Sequence, residues 1–153
     1  MDGKIKIREA VSSDITELVG LLRDLFSIEA DFRFDEQKQR AVLLMLIESD
    51  CDEKVLIVAE KDKRVIGMCS AQTLISTAEG GKAAMIEDMV IEKSARGNGI
   101  GRLIMDEVTS WAEENGITRL QLLADKNNSR AISFYKKNNW RDTQLICLRR
   151  SGV

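Results

Sequence analysis

Residues 96–101, Arg96-Gly97-Asn98-Gly99-Ile100-Gly101, place glycine at every second position, and Arg102 follows them. Glycine tolerates φ > 0 and lets a ligand come close to the backbone. The helical spacing of apolar residues that begins at Ile100 predicts a helix starting in this turn. The first amides of a helix have no intrahelical partner, and together with the positive end of the macrodipole they form an anion site. Arg102 would stand in the first helical turn, where a cation is unfavourable unless an anion is bound. No Gly-Lys-Ser/Thr closes the turn, so it is not a Walker loop, and its G-x-G-x-G spacing is not the dinucleotide fingerprint G-x-G-x-x-G. The pattern therefore points to a phosphate carrier that is neither a magnesium-held triphosphate nor a nicotinamide cofactor. A plain strand-to-helix connection is the alternative.

Just before the turn, the apolar run Ala83–Ile91 is interrupted by Glu87 and Asp88. Neighbouring strand residues face opposite ways, so the two carboxylates cannot share one solvent face. A carboxylate buried without partners is costly, which gives Glu87 first and Asp88 second a reason to serve chemistry. An exposed strand end or a backbone cap is the bland alternative. The chain has no histidine and one tyrosine, Tyr135. Acid–base chemistry near neutral pH then falls to a carboxylate, Tyr135, a cysteine or water. A serine–histidine hydrolase and a histidine metal site are excluded.

The chain of 153 residues is long enough for one domain, 1–153, with a real core. Its 44% hydrophobic and 31% charged residues are an ordinary soluble profile. The net charge of −2 offers no field to recruit nucleic acid. No apolar run reaches the ~18–20 residues of a membrane span, and the N-terminus lacks a signal-peptide core. The odd set Cys51, Cys69 and Cys147 has no metal-type spacing, which fits reduced thiols in a cytoplasm. No metal is expected. Cys69 and Cys147 are expected to pack in strands, and Trp111 and Trp140 in the core.

These residues must be held by a mixed α/β sheet. Lys4–Arg8 alternates as a short strand. Ser12, Ser13 and Asp14 offer caps for a helix carrying Ile15, Leu18, Val19, Leu22, Leu25 and Phe26. A second helix is expected at 36–48. Strands 55–60 and 65–73 form a hairpin around Lys61–Arg64. Residues 74–82 read mainly as a mobile loop, with Leu74 and Ile75 able to prolong the strand. The apolar strand 83–91 leads into the helix, which Gly116 ends as a C′ residue. Strand 119–124, helix 129–137 and strand 143–148 complete the order β-α-α-β-β-β-α-β-α-β, with helices expected on both sheet faces.

With Arg96, Gly99 and Gly101 in place, the chain resembles the GNAT superfamily of N-acetyltransferases, whose motif is Arg or Gln, two residues, Gly, one residue, Gly or Ala. A second motif of that superfamily, an asparagine before a short helix with alanine and then tyrosine, is matched by Asn128, Ala131 and Tyr135. Element order over nearly the whole chain is similar too. The resemblance implies the GNAT fold and acetyl-CoA as cosubstrate. Its diphosphate would lie on the amides of Gly97, Asn98, Gly99, Ile100, Gly101 and Arg102, and its pantetheine arm along Met89, Val90 and Ile91. Asn128 would touch the pantetheine or phosphate region, and Tyr135 would stand near the sulfur. Glu87, directly or through water, would be the base and Tyr135 the acid. Ile86–Val90 looks like the polyamine-acetylating branch, where a glutamate in this place is the proposed base. Asp24, Glu29, Asp31, Asp35 and Glu36 lie where relatives often build an acceptor wall, although Arg23, Arg33, Lys38 and Arg40 are interleaved. Two departures are Lys93, where many relatives have proline, and Asn139-Trp140 for the usual Gly-Phe. The acceptor is expected to be a small cationic primary amine. A protein lysine or N-terminus is the alternative acceptor, and a non-catalytic acyl-CoA sensor the alternative role. Relatives are often homodimers.

Overall fold

A computed structural model of the chain describes residues 3–29, 31–48 and 52–153. Cys51 lies outside them. They form two compact units, Met1–Leu122 and Leu123–Val153. The first contains β1 (Lys6–Glu9), α1 (Ile15–Ile28), α2 (Glu36–Glu48), β2 (Lys54–Lys61), β3 (Arg64–Ser76), β4 (Gly81–Ile91), α3 (Ile100–Glu114) and β5 (Ile117–Leu122). The second contains α4 (Ser129–Lys137). Strand order is β1-β2-β3-β4-β5, antiparallel except for the parallel pair β4–β5.

The two hairpins follow from backbone chemistry. Asp62 and Lys63 both take left-handed φ, 50° and 64°, the conformation that matches the twist of a two-residue turn. Residues 74–82 are not a loop. β3 runs on to Ser76 and β4 begins at Gly81, joined by a turn in which Gly80 at φ +67° bonds back to the Thr77 carbonyl. The alternation that ends the expected strand simply continues, and glycine supplies the reversal.

Helices cover both faces of the sheet. Leu18, Val19, Leu22 and Leu43 pack against Leu56, Val58, Met68 and Val90 on one face. On the other face α3 lies close, because Gly67 has no side chain. A Cβ there would stand 2.7 Å from Ile91 Cδ1 and 3.0 Å from Ile104 Cδ1. Trp111 packs at the rim of a cluster of Ala84, Ala112 and Ile117, as expected of it. Gly116 ends α3 with φ +68°.

Two expectations fail at the C-terminus. Residues 143–148 form no strand, and Leu145, Ile146, Leu148 and Cys147 are exposed. β-propensity describes a side chain's fit to a sheet surface, and a strand exists only when its backbone finds a partner edge. Cys69 is fully buried in β3, as expected.

One polar cluster ties β1, the start of α1 and β2 together. Arg8 grips Asp14 through two nitrogens at 2.8 and 3.0 Å and Glu60 at 2.8 Å. Asp14, 6% exposed, also accepts the Val11 N–H at 2.8 Å. It is thus spent on this lock rather than on capping the helix amides. The Arg8 guanidinium holds the Asp14 carboxyl below the usual carboxylate range. Because the folded pKa is depressed, the stabilisation is present above the unfolded value of ~3.9 and is lost as pH falls through the folded one. Asp14→Asn is expected to lower stability by about 2 kcal/mol at neutral pH. Denaturant melts of both proteins should converge as the pH drops below ~4, and a gap that persists there would contradict the charged lock.

Candidate active site

The site is built from backbone groups that the fold leaves unpaired. β4 pairs with β3 from Gly81 to Ile91 except at Glu87, but with β5 only as far as Ile86, which pairs with Leu122. β5 ends there. From Glu87 to Ile91 the β5-facing edge of β4 therefore has no strand partner among the described residues, and Met89, Val90 and Ile91 lie along it. Such an edge accepts an extended chain of amides as an added strand.

The strand leads through a short 3₁₀ turn, Lys93–Ala95, into the glycine-rich turn. Gly97 and Gly99 have φ +81° and +76°, and Gly99 is the N-cap residue of α3. No side chain caps the helix, and its first internal bond runs from the Leu103 amide to the Gly99 carbonyl at 3.2 Å. The amides of Ile100, Gly101 and Arg102 are the orphan donors expected of a helix start. Arg96 donates its Nε to the Ile91 carbonyl at 2.9 Å, which ties the turn to the end of β4. Asn98 braces the same turn from its side chain to the Ala95 carbonyl at 3.2 Å. Open edge and uncapped helix are thus consecutive in the chain and fastened to each other.

A bulge separates the two carboxylates. Ser70 faces Asp88 and Ala71 faces Ile86, so Glu87 has no counterpart on β3. Glu87 is exposed and Asp88 half-buried. Asp88 shares its sheet face with Val90, which packs beneath α1. The buried Ser70 hydroxyl donates to Asp88 Oδ2 at 3.4 Å and accepts the Asp88 amide at 3.3 Å. Burial pushes the Asp88 carboxyl up to about 6, with the charges of Glu87 and Glu29 adding to the rise and the Ser70 hydroxyl opposing it. Burial likewise lifts the Cys69 thiol to about 12, aided by the Asp88 charge. The periodicity of the strand pointed to the pair but carried no sign of the bulge or of Ser70.

The other motif residues belong to the second unit. Asn128 caps α4, its Oδ1 accepting the Ala131 amide at 3.1 Å, so its side-chain oxygen is engaged within the helix. Tyr135 is held between two rings, Phe134 at 5.3 Å and Trp140 at 5.8 Å, both edge-on. Asn139 takes φ +69°, so the turn keeps its left-handed residue without the usual glycine, and the Trp140 amide bonds the Tyr135 carbonyl at 3.0 Å. The residues considered for an acidic wall are mixed with cations: Glu36 lies 3.9 Å from Arg23 and 3.5 Å from Arg40, and Asp35 lies 4.0 Å from Lys38. Among the described residues no group of three or more His, Cys, Asp or Glu could hold a metal ion. No described helix is long and apolar enough to cross a membrane.

Comparison with known proteins establishes the family and the fold. Residues 19–140 match the family model described as Acetyltransferase (GNAT) family. The chain belongs to that family and is an acetyltransferase. Over 141 residues it is 25% identical to YhfO, an uncharacterized N-acetyltransferase of Bacillus subtilis (strain 168), covering 90% of this chain and 91% of that protein. The fold is similar to that of the aminoglycoside N-acetyltransferase AAC(6')-Iy in complex with CoA, at TM-score 0.83 and 15% identity over 97% of this chain and 95% of that one. It is also similar to glucosamine-6-phosphate N-acetyltransferase from Arabidopsis thaliana, at TM-score 0.78 and 20% identity over 97% and 99% of the two chains.

A Cβ added at Gly99 would meet no atom within 4 Å, so the demand for glycine there is set by its φ and not by space. Gly99→Ala is expected to cost about 1–2 kcal/mol, the price of a left-handed residue. Thermal melts should show that loss, and an unchanged melting temperature would mean the turn relaxes freely.

Proposed function

We propose that this chain transfers the acetyl group of acetyl-CoA to a primary amine of a small cationic molecule by direct attack. The observation that carries the reading is the junction of the unpaired β4 edge with the uncapped start of α3. Amides of Gly97 to Arg102 suit a diphosphate, since hydrogen bonds to charged groups contribute about 1.5–3 kcal/mol each. The edge at Met89, Val90 and Ile91 suits the amide-bearing pantetheine arm. Residues and group fit without a metal, because backbone dipoles and Arg96 and Arg102 supply the positive potential. Bound acetyl-CoA supplies the electrophilic thioester carbonyl.

The chain's residues then have a proton to manage. An alkylammonium with pKa ~10.4 costs about 4.6 kcal/mol to neutralise at pH 7. Glu87, water-exposed at the bulge, takes that proton to solvent directly or through a water. Tyr135, through its phenolic O–H, protonates or hydrogen-bonds the departing thiolate. Asn128 keeps the side-chain nitrogen not used in capping for the pantetheine or phosphate region. A cationic acceptor is favoured by the negative charge gathered at Glu87, Asp88 and Glu29. The two solved neighbours named above are named for an aminoglycoside and for glucosamine 6-phosphate, both small molecules that carry a primary amine. Reaction in the cytoplasm suits the carrier.

Coenzyme A release with a panel of spermidine, kanamycin, glucosamine 6-phosphate and a lysine peptide tests the proposal. Turnover with one of the small amines is expected. Tight coenzyme A binding with no free thiol from any acceptor would leave only a sensor. Tyr135→Phe is expected to lower kcat at least about tenfold with little change in coenzyme A affinity. Equal kcat in the two proteins would remove the assigned role. Gly99→Val should abolish coenzyme A binding, because a β-branched residue resists positive φ. Unaltered affinity by calorimetry would count against the turn.

A further inference from the structure

We infer that two copies of this chain exchange residues 143–148, each copy laying them as an added strand along the free edge of the other's β5. The inference goes beyond acetyl transfer and needs no substrate to test it. It starts from an apolar segment that the single chain leaves in water. Leu145, Ile146 and Leu148 are 84%, 81% and 86% exposed, and Cys147 among them is exposed as well. Single apolar side chains scattered on a surface need no explanation, but a contiguous run marks a contact. The backbone is open too. Residues 143–148 form no backbone–backbone hydrogen bond among the described residues, and the Leu145 amide bonds the Thr143 hydroxyl instead, at 3.2 Å.

The same chain offers the matching half. β5 stands last in the sheet order, so one edge of its six residues, Ile117–Leu122, has no strand partner among the described residues. Its length equals that of the open segment. Arg119, on the same strand, has its Nε buried with no acceptor among the described residues. An open edge accepts a further strand through main-chain bonds, and the side chains set the choice of strand. In extended form, 143–148 turns Leu145 and Cys147 to one side and Ile146 and Leu148 to the other. Apolar residues on both faces suit a strand inside a sheet and not a solvated tail.

The occupant is a second copy because one chain leaves both the edge and the segment open, and a copy supplies each with what it lacks. The exchange is reciprocal, so the assembly closes at two with neither edge left over. Charge agrees with it. Seven Lys and Arg against two Asp give residues 123–153 a formal +5, so the chain's −2 leaves −7 on residues 1–122. Exchange brings the positive segment of each copy to the negative body of the other.

The test is the mass of the full chain in solution across micromolar concentrations, by analytical ultracentrifugation. Wild type is expected to sediment as a dimer. Leu145→Pro together with Ile146→Pro removes an amide donor from the added strand in either register. That double variant is expected to raise the dimer dissociation constant at least about 100-fold while keeping the far-UV spectrum of a folded chain. Hydrogen exchange on wild type separates strand exchange from any other contact. The amides of 143–148 should be protected at dimer concentrations and lose that protection on dilution. Wild type that stays a monomer overturns the inference, as does a dimer that survives both prolines. If the variant does not fold, unprotected 143–148 amides in the wild-type dimer overturn it.

Discussion

Most of this structure can be understood from one shortage: strand β4 has more backbone donors and acceptors than its neighbours satisfy. A buried peptide group needs a partner, and β3 pairs with β4 from Gly81 to Ile91 except at the bulged Glu87. β5 provides them only up to Ile86 and then stops at Leu122. The stretch from Glu87 to Ile91 is left open on one side, and the same chain runs on to the uncapped start of α3. An edge and a helix start are each common. Here a short turn joins them, its own backbone bonded from Glu92 to Arg96, and Arg96 holds the Ile91 carbonyl, so two separate sets of open backbone groups are fixed near each other along the chain. The proposed carrier, with amides at one end and phosphates at the other, would meet the edge with the first and the helix start with the second.

The rest of the first unit keeps that line rigid. Gly67 lets α3 settle onto the sheet, so the orphan amides are held at a fixed height above β4. Ile104 and Val108, both fully buried, anchor the helix from below. The Arg8–Asp14–Glu60 cluster fixes where α1 begins, and α1 covers the face on which Asp88 lies. Charge-assisted bonds of this kind are short and directional, which suits them to positioning. The bulge at Glu87 breaks the alternation within one strand. Two neighbouring carboxylates thereby receive different solvation, and different solvation is what separates their acidities.

Much of the fold was legible in the residues because local physics decided it. The α1 and α2 stripes, the left-handed positions at Gly97, Gly99, Gly116 and Asn139, and the tight turn at Asp62-Lys63 all express preferences of a few residues in sequence. Helices 36–48 and 129–137 match their expected bounds. The reading of 143–148 failed because alternation reports what a segment is able to join, not whether an edge is offered. The reading of 74–82 failed for the opposite reason, since two strands already paired could extend their ladder across a short polar run.

By itself the sequence determined that a glycine-shaped helix start follows an apolar strand, that acid–base work lacks histidine, and that Arg96, Gly99, Gly101, Asn128 and Tyr135 stand in the spacing of an acetyltransferase. These are statements about neighbours along the chain, governed by φ, by capping and by residue chemistry. Only the tertiary structure decided where β5 stops, that Glu87 is the bulged residue, and that Asp88 is the half-buried carboxylate against Ser70. Those depend on pairings between residues far apart in the chain, Ser70 with Asp88 and Ile86 with Leu122, which no local pattern fixes.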